Sequence, residues 1–585
     1  MDRQAGTGTQ KHKIEMTRVR ILPAVLSLAL AAAACSQVPD GKTVYLKDYL
    51  TEEMIADDAE PAIREALDEC LKGRNSTLVL PGGTLKVKPD FCVNKYQKIS
   101  NNDPSDKRIA FDICGADGLT VEGNGTTLLF TGFVSPFNIE DSRNISVNDL
   151  NIDYTRTFHS EGLITGSGKD WVKLRFPEDY IVKLESGILV FKDKDGNRYP
   201  YGNLLEFDSE KKEVAHYVHD YWVWGVGLQA EALPDGDYKV YEKDIEVTEG
   251  NILVFGAAAR VHPAFTLDGC EAFGLKNVNI WHCGGMGVIA QRSSDIALEN
   301  VNVVPSPGKN RMISITADAT HFINCRGYIR MTGCTFTNQK DDATNIHGWY
   351  SVAKKKLADN KLLLWSNYDK DFAREGMMME IVDHNTMMTY DTLEVASVYK
   401  YNDEYSAVTF TEPIPERFEE KDVLADAYAN PDVTIEGCTF GNNRARGLLI
   451  GSRGKVLIQN NLFHVPGAAI LFEGDGNYWY EQSGVRDVTI RGNTFENCLY
   501  GSNSWGKAYI AVGSGIPQKE NSRYHRNITI EDNTFRTFDP RILNLYCVDG
   551  VTYRNNTVIP NEDYEFGRPA SPFEIKYCDN VNIEE

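Results

Sequence analysis

Asp318-Ala319-Thr320 recurs 24 residues later as Asp342-Ala343-Thr344, and Asp341 stands directly before the second copy. If the two triplets occupy equivalent places in successive turns of a stacked chain, Asp318 lies beside Asp342, about 4.8 Å away, with Asp341 next to both. Two carboxylates about 5 Å apart repel by roughly 3 kcal/mol at an effective dielectric constant near 20, or about two pKa units. One then keeps its proton well above the usual Asp range while its neighbour stays ionised. A carboxylic acid beside a carboxylate base is the pair that cleaves a glycosidic bond. Asp318, Asp341 and Asp342 are therefore the candidate catalytic residues. Adjacent residues of a regular strand face opposite sides, so Asp341 and Asp342 reach one cleft only from a bulge or a turn at a strand end.

The elements that position them are legible as a repeat. Leu275-Lys276-Asn277-Val278-Asn279-Ile280 returns as Leu298-Glu299-Asn300-Val301-Asn302-Val303, 23 residues on. A second pattern, V-T-I-x-[GD]-[NC]-T-F, runs from Val433 to Phe440, Val488 to Phe495 and Ile528 to Phe535, with looser copies ending at Phe336, Phe463 and Val558. Short alternating apolar runs followed by Asn- and Gly-containing turns are strands, and strands returning about every 23 residues predict a right-handed parallel β-helix. Cys334, Cys438, Asn461, Asn493, Asn533 and Asn556 share one slot of the pattern. A slot that takes Asn or Cys in successive coils reads as an inward turn position where amides hydrogen-bond up the stack. With no CxxC pair and no His-Cys cluster at zinc spacing, neither a metal nor another cofactor is implied.

The 585 residues, 42% hydrophobic and 25% charged, suffice for one elongated all-β domain. A formal net charge of −22 argues against nucleic acid and anionic membrane surfaces and favours a neutral glycan partner. Monomer and homodimer both remain open. Arg18 and Arg20 precede a short apolar run, Ile21 to Leu30, then four alanines and Cys35. The run is too short to span a bilayer and marks a secretory signal, and Cys35 after Ala33-Ala34 resembles a lipobox cysteine. The expectation is export across the inner membrane and a lipid anchor at Cys35 in the cell envelope, the chain's one membrane attachment.

From these patterns the chain divides into a signal segment (1–35), a cap with first rungs (36–157), an inserted β-rich segment (158–262), rungs carrying the aspartates (263–348), a second inserted β-rich segment (349–428) and C-terminal rungs (429–585). A helix over 57–71, with Ile63, Ala66 and Leu67 on one side, plugs the open end of the solenoid. Short alternating strands in the two insertions predict antiparallel, barrel-like sheets, the second placed to wall off the aspartates. The register places Arg292, Asn345, Arg446, Glu473 and Trp479 on the same edge as candidate substrate-binding residues, arginines to orient sugar hydroxyls and an aromatic face for a ring.

Signal, helical cap, β-helix, two inserted segments and the spacing from Asp318 to Asp341-Asp342 together resemble glycoside hydrolase family 110, secreted bacterial exo-α-1,3-galactosidases acting on the blood group B determinant. The resemblance implies an inverting mechanism with Asp318 as general acid and Asp341 or Asp342 activating water. Bare geometry pulls the other way, because one rung of separation lies nearer the about 5 Å of retaining enzymes than the about 6.5–9.5 Å of inverting ones. A polygalacturonase-like hydrolase is the nearest enzymatic rival; Asp341-Asp342 and Arg453-Gly454-Lys455 echo its motifs, but Gly-His-Gly is absent. A calcium- or lysine-dependent β-helix lyase lacks its residues. A non-catalytic glycan-binding solenoid has no need of three crowded carboxylates.

Overall fold

The computed structural model describes residues 41–367, 371–513, 515–566 and 569–584, so the signal segment and Cys35 lie outside the described residues. The repeat folds as expected. Asn279 pairs with Asn302 and Ile280 with Val303 in a parallel ladder, and the V-T-I segments stack in register, Val433 on Val456, Val456 on Val488 and Val488 on Ile528. Two long, mainly parallel sheets result among the described residues, one of 21 strands and one of 13, with apolar side chains filling the space between them. Asn277 and Asn300 adopt left-handed φ of 53° and 51° at equivalent bends, a conformation Asn tolerates.

Two ladders rivet the coils. Asn461 Nδ2 donates to Asn493 Oδ1 at 3.0 Å, Asn493 to Asn533 at 3.0 Å and Asn533 to Asn556 at 2.9 Å, each amide also closing on backbone groups of its neighbours. Beside them the rings of Phe463, Phe495 and Phe535 stack at centroid distances of 5.0 and 4.7 Å. Each such aromatic pair adds about 0.5–1.5 kcal/mol beyond burial. The shared Asn/Cys slot is therefore structural: the Cys438 N–H joins the same ladder by donating to Asn461 Oδ1.

At the N-terminal end the expected single helix is two, Glu52–Ala56 and Glu60–Leu71. Pro61, in the first turn of the second helix, has no N–H to continue the first, and the Asp58 carboxylate caps Glu60 N–H instead. Ala62, Ile63, Ala66, Leu67 and Cys70 bury against the first rungs and close the core. No helix among the described residues is long and apolar enough to cross a membrane.

Both insertions are antiparallel. The first forms an eight-stranded sheet reaching from Ser160–Gly168 to Ile252–Ala257, with a separate hairpin of Ile181–Glu185 and Ile188–Lys192. The second closes into a six-stranded barrel from Ser351–Ala358 to Val423–Asp426. In the 13-stranded sheet, Val288–Gln291, Thr320–Ile323, Thr344–Trp349 and Leu448–Ile450 are consecutive neighbours, and Asp318, Asp341, Asp342 and Arg446 stand just before the N-terminal ends of the last three.

Candidate active site

Thr320 pairs with Thr344, and Ala319 N–H donates to Asp342 O at 3.0 Å, so the two Asp-Ala-Thr triplets do stack. None of the three aspartates lies in a strand. Asp341 and Asp342 occupy a bend ahead of Thr344, held open by Asn443 Nδ2, which donates to Asp341 O at 2.9 Å. The bend frees both carboxyl groups from strand alternation and lets them share one space with Asp318. One oxygen from each of the three lies within 4.8 Å of the others.

The charge is balanced by arginines from separate parts of the chain. Arg446 forks onto Asp342 with Nε and Nη2 at 3.0 and 2.8 Å, while its own N–H adds a third bond at 3.1 Å. Arg260 bonds Asp341 and lies 4.0 Å from Asp318. Arg444 reaches Asp341 at 3.3 Å and is itself held by Asp220 at 3.0 Å. Asp342 and Asp341 are thus paired directly with guanidinium groups, whereas the distance from Asp318 to Arg260 is 4.0 Å and its carboxylate meets His321.

The electrostatic result is asymmetric. Burial, then the neighbouring Asp341 charge, pushes the Asp318 carboxyl up to about 7. Burial acts on Asp341 as well, but Arg260, Arg444 and Arg446 outweigh it and hold that carboxyl below the usual range. Asp341 is also more accessible, its side chain 13% exposed against 4% for Asp318. Burial pushes Asp342 upward too. It reaches about 7, as Asp318 does, while the Arg446 fork and backbone N–H on its oxygens favour the carboxylate and tie this group to Arg446. The three carboxyls thus differ: Asp318 is buried with its pKa raised, Asp341 is more accessible with its pKa lowered, and Asp342 is forked by Arg446.

Around this core, Asn345 stands in register with His321 on the same sheet face. Glu473 follows the strand Ile470–Phe472 at the exposed end and acts electrostatically on Arg446. Trp479 lies on a loop whose N–H groups converge on the Asp475 carboxylate, and it is half exposed, edge-on to Tyr478 at 4.9 Å. Asn345 and Glu473 are thus near the aspartate cluster, Glu473 acting on Asp342 as well. Arg292 is not. It follows the far end of the strand Val288–Gln291, whose first residue is level with Thr320, and it forks onto Asp268 at 2.6 Å. Six positions of extended chain separate its level from that of Asp318, roughly 20 Å, so its assignment to substrate is corrected to a structural ion pair.

Several participants carry no signal in the repeat. Arg260 leaves the first insertion, and Asp220 and Trp222 project from it, Trp222 facing the Arg444 guanidinium at 5.7 Å with Trp505 at 5.4 Å. The first insertion supplies Arg260, Asp220 and Trp222 at the site; the second contributes Trp365, which packs against Tyr480 at 5.3 Å and braces the aromatic loop. Trp222 is half exposed and offers a flat face beside the cluster. His321 Nδ1 lies 2.5 Å from Asp318 Oδ2 and its Nε2 3.0 Å from His347 Nε2. Burial holds both imidazoles neutral, His321 with its pKa down at about 3.

Comparison with known proteins is consistent across the chain. Family models match at residues 160–253 (GLAA-B beta-barrel domain I), 368–424 (GLAA-B beta-barrel domain II) and 423–585 (right handed beta helix region). Alpha-1,3-galactosidase A of Shewanella woodyi is 31% identical over 553 residues, covering 92% of this chain and 90% of the relative. Alpha-1,3-galactosidase B of Bacteroides thetaiotaomicron is 29% identical over 542 residues, 91% of this chain and 88% of the relative. Among solved structures, a Family 28 exopolygalacturonase of Yersinia enterocolitica superposes with a TM-score of 0.41 at 12% identity, covering 93% of this chain and 79% of its own.

Proposed function

Because the chain belongs to glycoside hydrolase family 110, the α-1,3-galactosidases, we propose that it removes terminal α-1,3-linked galactose from glycans such as the blood group B determinant, with Asp318 as acid and Asp341 as base in a single inverting displacement. The observation that carries this reading is the asymmetry of the carboxyl pair: Asp318 is buried with its pKa raised, Asp341 more accessible with its pKa lowered. Asp318 gives its proton to the departing glycosidic oxygen while Asp341 takes one from water attacking the anomeric carbon. Asp342 holds Arg446, and in this reading Arg446, Asn345 and Glu473 bind the galactose hydroxyls, supported by their nearness to the aspartates. The faces of Trp222 and Trp479 suit the sugar next along the glycan.

Inversion rests on the family resemblance. The approach of the carboxylate oxygens, within 4.8 Å, lies by itself nearer the retaining range of about 5–5.5 Å. Released galactose, measured over a panel of linear α-1,3-galactosides, branched fucosylated trisaccharides and α-1,4- or α-1,6-galactosides, tests the substrate class. Release from α-1,3 linkages alone is the expected outcome; no galactose from any of them contradicts the reading.

For location we propose export and acylation at Cys35, supported by the short apolar run and small residues before it. Mass spectrometry of the mature N-terminus is expected to show a diacylglycerol-modified Cys35. An unmodified terminus beginning beyond that residue removes the anchor.

A further inference from the structure

The hydrogen-bond string behind Asp318 has a direction, and the direction is fixed at its far end. His347 Nδ1 lies 2.6 Å from Gly348 O. A carbonyl oxygen only accepts, so Nδ1 carries the proton, and the neutral ring presents a bare Nε2. The 3.0 Å contact between His347 Nε2 and His321 Nε2 needs one proton, which His321 must then supply. With its proton on Nε2, neutral His321 turns a bare Nδ1 toward Asp318 Oδ2 at 2.5 Å. Two acceptors at that distance repel, and the contact becomes a hydrogen bond when Asp318 is a carboxylic acid.

A competing arrangement is built in. Asn101 Nδ2 lies 3.1 Å from the same His321 Nε2. If Asn101 donates there, His321 carries its proton on Nδ1 and donates to Asp318, which favours the carboxylate. Nε2 serves His347 or Asn101 at any moment, not both. The two neighbours therefore select opposite tautomers of His321 and opposite protonation states of Asp318.

We propose that His347, anchored on the Gly348 carbonyl, is a positioning residue that locks His321 in the tautomer keeping Asp318 protonated for the next bond cleavage. The proposal rests on the reading of Asp318 as the general acid. The other charged groups facing the string are Arg260, Arg446, Asp341 and Asp342 around Asp318, with Arg260 and Asp341 acting on His321 too and Glu481 Oε1 at 3.5 Å from His347 Nε2. None of them dictates which nitrogen of His321 holds the proton, because each acts as a charge and not through a hydrogen bond to that ring.

The test is the pH dependence of kcat on an α-1,3-galactosyl disaccharide, whose alkaline limb reports loss of the acid's proton. In His347→Phe, Asn101 is left as the sole partner of Nε2, and the limb is expected to move at least about one pH unit lower while kcat on the acid side of the profile is retained. Asn101→Gly, which suits the left-handed φ of 57° there, removes the competing donor and is expected to move the limb upward. A limb unmoved by both substitutions overturns the proposal, as does a uniform loss of kcat at every pH in a folded His347→Phe. Asp318→Asn separates the two layers: if it abolishes the limb, Asp318 is the acid and the histidine variants judge the lock alone; if the limb persists, the assignment of the acid fails.

Discussion

Asp318→Asn is expected to lose about 10²–10⁴-fold in kcat on an α-1,3-galactosyl disaccharide and less than about tenfold on an aryl α-galactoside with a good leaving group. The difference follows from what the acid supplies. A sugar alkoxide departs only with a proton, whereas a nitrophenolate departs without one, so the variant is impaired in proportion to the basicity of its leaving group. Asparagine is the appropriate substitution because its amide can donate to His321 Nδ1 as the protonated carboxyl does, 2.5 Å away in the native site, leaving the buried string intact. In the native protein activity on the disaccharide is expected to fall as pH rises through about 7, with Asp318 raised that far by burial, and the aryl substrate to show a weaker decline. Equal losses on both substrates contradict the assignment of the acid.

Asp341→Asn should instead depress both substrates together, again by about 10²–10⁴-fold, because activation of the attacking water is needed whatever departs. Its pKa, held low by Arg260, Arg444 and Arg446 against burial, keeps it ionised through the acid side of the profile, so the native acid limb lies below the ordinary Asp range. The variant leaves Arg260 and Arg444 with less counter-charge, although Asp220 continues to hold Arg444. A small anion such as azide fits that vacated role, and restored turnover with a galactosyl azide product is the expected rescue. Asp342→Asn differs in kind: it loosens Arg446 and so raises KM as well as lowering kcat. If azide rescued Asp342→Asn and not Asp341→Asn, the roles of base and structural carboxylate would be exchanged.

What the sequence reveals of this protein follows from periodicity. The 23-residue step dictates which residues stack, so the Asp-Ala-Thr pair, the Asn ladder from Asn461 to Asn556 and the Phe463 to Phe535 stack are all legible in the order of residues alone. Periodicity does not say which end of a strand bears the site, and for that reason register alone misplaces Arg292, which is level with the sheet but at its opposite edge. Residues outside the repeat carry no register at all. Arg260, Asp220 and Trp222 reach the cluster because the first insertion folds back over it, a non-local contact that no local pattern encodes. The bend at Asp341-Asp342 is required by strand alternation and is present, but its cause, the Asn443 clasp on Asp341 O, comes from the next coil. His321 and His347 lie on neighbouring strands two positions out of register, and their role depends on which ring nitrogen meets Gly348 O, a matter of ångströms and not of spacing.

The most direct test of the acid and base placed on Asp318 and Asp341 is proton NMR of the sugar as it first forms from an α-1,3-galactoside, before mutarotation blurs the anomers. Water activated by Asp341 attacks the face opposite the departing oxygen that Asp318 protonates, so β-galactose is the predicted initial product. α-Galactose as the first product would instead mean a covalent galactosyl intermediate on one of these carboxylates and would contradict the single-displacement account.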